Sequence, residues 1–145
     1  MTVLGILGVL AAIAFPAISD LAASRAAATE VNKVKVALDT IRDRARQSLR
    51  CFHVTRTSSS QLQVDELQSS ATGCGTTVVS TTVRDFNPAA VELTSNVDLT
   101  FNRNGSLDGV TASYVDLVVS QKRHGHPNAP TTVRVFRVLG LVRRL

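Results

Sequence analysis

The chain has 145 residues, which suits one ordinary domain with a modest core. Aromatic residues make up only 4% of it and tryptophan is absent, which excludes a core built on aromatic side chains. The net charge of +5 belongs to the C-terminal end, because residues 122–145 contain six basic and no acidic residues. The preceding 121 residues contain ten basic and eleven acidic residues, so charge indicates a partner only for the C-terminal end.

The first feature along the chain is an uncharged N-terminal stretch. No charged residue occurs between Met1 and Ile18. A signal peptide has basic residues before its apolar run, and here the first basic residue is Arg25, so a signal peptide is disfavoured. A helix of about 18 residues measures about 27 Å, slightly less than the hydrocarbon thickness of a bilayer. The stretch therefore predicts a borderline transmembrane helix.

The same stretch is rich in small residues, which allow helices to approach one another closely. They are Gly5, Gly8, Ala11, Ala12, Ala14 and Ala17. Pro16 removes one backbone donor and is expected to kink the helix or to loosen it locally. We therefore expect this segment to pack against other helices as well as against lipid.

Beyond Pro16 the helical pattern continues to residue 49 without Gly or Pro. Apolar residues there recur at spacings of three and four, which places them on one stripe of a helix. They are Val31, Val34, Leu38, Ile41, Ala45 and Leu49. The sequence therefore predicts one long helix, apolar all round in its first third and on one side afterwards.

The stretch GILGVLAAIAFPAISDL (residues 5–21) resembles the N-terminal helix of type IV pilins and type II secretion pseudopilins. Those helices contain a proline at this place and polar residues after it. In that family the mature chain begins with an N-methylated Phe followed by Thr-Leu-Ile-Glu, which this sequence lacks. Aligning the two prolines places Met1 inside the mature chain, so we expect Met1 to be an internal position of the natural polypeptide.

After residue 49 the pattern becomes that of β-strands. Residues 50–57 and 61–67 alternate between apolar and polar, with a turn-like serine run between them. Four further strands are predicted at 76–86, 91–102, 112–121 and 131–139. Asn104-Gly105 is a strong hairpin signal. Together they predict an antiparallel sheet whose inner face packs on the apolar stripe of the helix.

The run VDLTFNRNGSLDG and the ending VLGLVRRL resemble the C-terminal half of the GspH/FimT family of minor pilins and pseudopilins. The resemblance implies the pilin fold, an α+β fold in which a long N-terminal helix with an apolar first third packs against an antiparallel β-sheet head. Residues 1–20 would then be a transmembrane or fibre-core segment. Residues 21–49 would be an amphipathic helix on the head, and residues 50–145 the β-rich head itself.

Cys51 and Cys74 are the only cysteines. An apolar N-terminus that points to export favours a disulfide between them over two reduced thiols. Such a bond would close a loop of about two dozen residues and stabilise the fold by roughly 3 kcal/mol.

Enzymatic and metal chemistry are only weakly indicated. His53, His124 and His126 are the only histidines, and the last two lie in a stretch rich in Gly, Pro and Asn, whereas a zinc site needs four ligands from ordered elements. Cys51 and His53 share a strand face, but a disulfide would consume the thiol. We predict neither an enzyme, nor a metal site, nor a cofactor.

The basic C-terminal end is the candidate nucleic-acid site. Its members are Lys122, Arg123, Arg134, Arg137, Arg143 and Arg144. Such residues can hold phosphates without sequence specificity, and the resemblance implies the same possibility, because some FimT-like minor pilins bind DNA through a basic C-terminal segment. The alternative is a solvated strand end or charges that face acidic neighbours in a fibre. No aromatic residue is expected to accompany these arginines for base stacking.

The leading expectation is a structural role. The resemblance implies a minor pilin or pseudopilin that takes part in, or primes, assembly of a type IV pilus or a type II secretion pseudopilus at its tip. Its partners would be other pilin or pseudopilin subunits and, before assembly, lipid of the bacterial inner membrane, with the head in the periplasm. The alternative is a minor pilin that binds DNA for uptake.

Overall fold

The structure is a computed structural model that describes residues 2–70, 73–123, 126–137 and 142–145. Side chains are described for residues 20–70, 73–122, 130–137 and 142–145. Helix α1 (Thr2–Ser48) is followed by strands. These are β1 (Cys51–Ser58), β2 (Gln61–Ser70), β3 (Gly73–Asp85), β4 (Val91–Leu93), β5 (Asp98–Phe101), β6 (Leu107–Asp108), β7 (Tyr114–Arg123), β8 (His126–Phe136) and β9 (Val142–Arg144).

Helix α1 packs on the strands through one stripe of buried side chains. The stripe predicted from the sequence is confirmed for Val31, Val34, Leu38, Ile41 and Ala45, all of which are buried. Leu49, the sixth predicted member, is 65% exposed. The helix ends at Ser48, and Leu49 leaves it with a left-handed backbone at φ 54°, so the helical spacing no longer applies to its side chain.

The strands form two antiparallel sheets that share one core with α1. Sheet A has the order β3-β2-β1-β5-β6, and sheet B has the order β4-β7-β8-β9. Among the largest fully buried side chains are Leu62, Leu99 and Phe101 of sheet A, and Leu93, Leu117 and Val119 of sheet B. Helix α1 closes this core by lying against β1 and β5 of one sheet and against β4, β7 and β9 of the other.

The predicted fold class is wrong. Where side chains are described, no helix is both long enough and apolar enough to cross a membrane, so the long apolar N-terminal helix of the predicted pilin fold is not found. The head also contains two sheets instead of one. The observed fold is α+β, with one helix followed by antiparallel sheets.

The small residues predicted to set helix packing belong to α1, but their side chains lie outside the described part. These residues are Gly5, Gly8, Ala11, Ala12, Ala14 and Pro16.

The strand predicted at residues 91–102 is two strands that belong to different sheets. Strand β4 pairs with β7 in sheet B, whereas β5 pairs with β1 in sheet A. The chain crosses between the sheets at residues 94–97, where the amide of Thr94 still donates to Val118 O of sheet B and Val97 O already accepts from Arg56 of sheet A. Apolar and polar residues alternate in β4 as they do in β5, because each strand places one face on the same core.

The predicted disulfide is confirmed. Cys51 and Cys74 are bonded, with their Cα atoms 5.6 Å apart. The bond joins the first residue of β1 to the beginning of β3, although β2 lies between these two strands in sheet A.

The predicted hairpin at Asn104-Gly105 connects β5 with β6. Asn102 Oδ1 accepts hydrogen bonds from the backbone N–H groups of Asn104 and Ser106, and these bonds fix the turn. Gly105 has a φ of 79°, and a Cβ atom there would lie 2.7 Å from Cγ of Arg46 on α1. The turn therefore needs glycine both for its backbone conformation and for its close approach to the helix.

Candidate functional site

The predicted basic residues of the C-terminal end do not form one patch. Lys122 lies 3.6 Å from a carboxylate oxygen of Glu92, and Arg137 donates to the backbone carbonyl of Thr111. Arg143 and Arg144 are exposed and form no ion pair within the described part of the chain. Because neighbouring residues of a strand point to opposite faces, these two arginines lie on opposite sides of β9. The side chain of Arg123 lies outside the described residues.

The strand register gives Arg134 and Arg143 aromatic neighbours. Tyr114 is paired with Phe136, Asp116 with Arg134, and Arg134 with Arg143, so all five side chains share the outer face of sheet B. The rings of Tyr114 and Phe136 lie edge to face with their centroids 6.4 Å apart. The expectation that no aromatic residue accompanies these arginines is therefore wrong.

One arginine of this face is already neutralised. The guanidinium of Arg134 donates to both carboxylate oxygens of Asp116, at 2.7 and 2.8 Å. These bonds lower the pKa of Asp116 below its ordinary value and raise the pKa of Arg134. Arg134 also lies over the ring of Tyr114, with its Cζ atom 3.8 Å from the centroid. Among the described side chains of this face, Arg143 is therefore a cation that no carboxylate neutralises.

Helix α1 extends beyond its contact with the sheets at its N-terminal side. Ala27 is its first buried residue among the described side chains, and none of residues 20–26 is buried. Leu21, within this segment, is 52% exposed. The stretch between Asp20 and Ala26, of which Ala23 and Ser24 are half-buried and the rest exposed, therefore presents a largely uncovered helix surface next to the head.

The junction between α1 and the head is fixed by Glu30, which is buried. Its carboxylate accepts from Lys33 Nζ at 2.6 Å and from the backbone amide of Asn87 at 3.2 Å. The bond from Lys33 contributes most to lowering the pKa of Glu30 below its ordinary value, and the amide of Asn87 adds to it. Glu30 thus anchors the helix to the segment that follows β3.

The residues considered for metal and nucleophilic chemistry lie apart. Among the described residues, no three His, Cys, Asp or Glu side chains are placed to hold a metal ion. Cys51 is consumed by the disulfide, and His53 Nε2 contacts Asp98 Oδ1 at 2.8 Å on the outer face of sheet A. His124 and the side chain of His126 lie outside the described part.

No family model, no curated protein and no solved structure matches this chain.

Proposed function

We propose that this protein is a structural subunit of the minor pilin or pseudopilin kind, which takes part in assembling a type IV pilus or a type II secretion pseudopilus with other subunits. The observation that supports this proposal most is the uncovered part of α1. The helix is continuous from Thr2, and among its described side chains, which begin at residue 20, the first buried one is Ala27. A subunit that shares a helix surface with its neighbours needs such a segment outside its own core.

The chemistry of this segment suits helix packing. Leu21 exposes about half of its side chain to water, and burying a leucine fully against a neighbour stabilises an assembly by roughly 1.5–3 kcal/mol. The other residues around it are mostly small, which lets a second helix approach closely. They are Ala22, Ala23, Ser24 and Ala26. The disulfide fits an oxidising compartment such as the periplasm, where the head would lie.

Photo-crosslinking at Leu21 tests this proposal. Cells that form the fibre would produce the chain with benzoylphenylalanine in place of Leu21, and the sheared fibre fraction would be examined after illumination. We expect a covalent adduct between this chain and another fibre subunit. The same amino acid in place of Tyr114, on the outer face of sheet B, serves as the control and is expected to give a weaker adduct. Absence of the chain from the fibre fraction, or of any subunit adduct at position 21, would contradict the proposal.

A second candidate function is the binding of single-stranded nucleic acid on the outer face of sheet B. The observation that favours it is that Tyr114, Phe136 and the exposed Arg143 share the outer face of sheet B, on the neighbouring strands β7, β8 and β9. Aromatic rings stack with bases irrespective of sequence, and an arginine beside them can bind the phosphates.

Fluorescence anisotropy with a labelled oligothymidylate, measured over a series of salt concentrations, tests this second function. Tyr114→Ala removes a stacking surface, so we expect it to weaken binding roughly tenfold. Arg143→Glu is expected to weaken binding as much and to reduce the salt dependence. Arg25→Glu makes the same charge change on helix α1 and is expected to weaken binding less than about threefold. Failure of the unaltered protein to bind at low salt would exclude this function.

A further inference from the structure

A groove separates helix α1 from the edge of sheet A. We call it the α1–β3 groove. It has a volume of about 570 Å³, and its walls include Lys33, Val36, Ala37 and Thr40 of the helix, with Arg84 and Phe86 at the end of β3. A small recess continues it between Arg44, Ser80 and Thr82. The groove exists because α1 lies over the middle strands of sheet A while the sheet continues through β2 to β3.

Strand β3 forms the outer edge of sheet A along this groove. Within the described ranges β3 pairs with β2 alone, and all ten residues from Thr76 to Asp85 are exposed. The register shifts where Glu66 pairs with Ser80 and Leu67 with Val78, which leaves Val79 without a partner residue. From Ser80 to Asp85 the register is regular. This regular run contains neither proline nor lysine, and its inward-pointing charge, Arg84, disfavours pairing with a strand that offers it no carboxylate.

The backbone of the regular run faces outward at alternate residues. The amide of Phe86, directly after β3, donates to Ser60 O next to β2. Because hydrogen-bonding directions alternate along an antiparallel strand, the N–H and C=O groups of Arg84, Thr82 and Ser80 point towards β2. Those of Thr81, Val83 and Asp85 therefore point to the open edge. These three residues, each two apart along β3, offer N–H and C=O groups with which an added strand can pair.

The cations of the groove favour an acidic occupant. The side chains of Arg44 and Arg84 both line the recess, and neither forms an ion pair within the described part of the chain. Arg44 lies over the ring of Phe52 at 5.6 Å. The carboxylates of Glu66 and Asp85 also line the recess and the groove, but Glu66 accepts from Arg50 and Ser80, and Asp85 accepts from Gln61. Lys33 at the other end is paired with Glu30, but its side chain is 60% exposed.

A second copy of the chain fits this charge pattern poorly. Pairing two β3 strands antiparallel about Val83 would place the inward side chain of Arg84 beside Thr82 of the other copy. The two Arg84 side chains would then be diagonal neighbours on one face, with both Arg44 side chains close by. Like charges at such positions are destabilising, and the carboxylate of Glu66 in the recess is already paired with Arg50.

We propose that the α1–β3 groove binds an extended, acidic segment of a partner protein, which adds to β3 as a sixth strand of sheet A. Backbone hydrogen bonds to Thr81, Val83 and Asp85 give the segment its affinity. Its inward side chains alternate between apolar contact with Val36 and ion pairs with the free arginines. This inference depends on the groove alone and goes beyond the assembly role proposed above.

A synthetic peptide with the repeat Glu-Thr-Val-Thr is the probe, because its glutamates and valines then alternate along one face of the strand and can both point inward. We expect it to slow hydrogen exchange at the amides of Thr81, Val83 and Asp85 when it is added in excess to the full chain, as measured by NMR. The same peptide with lysine in place of glutamate is expected to bind at least about tenfold more weakly, because the carboxylates that line the groove, Glu66 and Asp85, are already bound to Arg50 and to Gln61.

Three variants separate the contributions of backbone and charge. Val83→Pro removes one outward N–H without affecting the ladder to β2, and we expect about tenfold weaker binding or more. Arg44→Glu and Arg84→Glu are each expected to weaken binding of the glutamate peptide about tenfold and to strengthen binding of the lysine peptide. Arg143→Glu changes an exposed, unpaired arginine on sheet B and is expected to change neither affinity by more than about twofold.

Several outcomes would overturn the proposal. One is the absence of protection at the three amides, and another is equal binding of the two peptides. Unchanged binding by both arginine variants would also overturn it, and these variants keep the test decisive if Val83→Pro fails to fold. Concentration-dependent dimerisation that protects the same amides without peptide would identify a second copy as the occupant instead.

Discussion

Replacement of Leu38 by alanine is expected to lower the free energy of unfolding by about 2–5 kcal/mol, as is typical of a buried leucine truncated to alanine. Leu38 is at the centre of the buried stripe of α1 and is 0% exposed. It belongs to the core that α1 shares with both sheets, so the cavity left by alanine cannot be closed by shifting one strand alone. Urea denaturation followed by circular dichroism measures the loss.

Val36→Ala is the matched control for this prediction. Val36 is only two residues away on the same helix, but it is 56% exposed. We expect a change within about 0.5 kcal/mol, since exposed substitutions away from special features have small effects. Equal losses for the two variants would show that the stripe does not hold the helix on the head.

The helix stripe could be predicted because its information is local. Residues three and four apart meet on one face of a helix whatever surrounds it, so Val31 to Ala45 were placed correctly from spacing alone. Leu49 follows the same spacing, but it lies beyond the end of the helix. The disulfide was predicted because the chain has only two cysteines and because its apolar N-terminus points to export.

The two sheets and the surfaces on them could not be predicted, because they depend on strand register. Tyr114 and Arg134 are twenty residues apart in the sequence and become neighbours only through the pairing of β7 with β8. Strand β3 reads as a run of Thr and Val, which are favoured in buried and exposed strands alike. Only its place at the edge of sheet A makes it an open surface.

Reduction of the Cys51–Cys74 bond is expected to lower the free energy of unfolding by roughly 3 kcal/mol. The two cysteines are 23 residues apart, and the bond restricts the unfolded chain by closing a loop of that length. Urea denaturation with and without reductant measures the difference. The double variant Cys51→Ala, Cys74→Ala is the control and is expected to resemble the reduced protein and to be insensitive to reductant. Alanine is preferred to serine because Cys51 is fully buried, and an unpaired hydroxyl there would add its own cost.

The loss of hydrogen-exchange protection that reduction causes should be uneven along β3. The disulfide holds the beginning of this strand, where the register to β2 is interrupted between the pairs Leu67–Val78 and Ser69–Cys74. With fewer ladder bonds there, the cross-link carries more of the local order. Hydrogen exchange should therefore accelerate more between Gly73 and Val78 than between Ser80 and Asp85, where the ladder is regular. Equal acceleration over both halves would mean that β3 opens as one unit, and the groove edge would then depend on the disulfide as well.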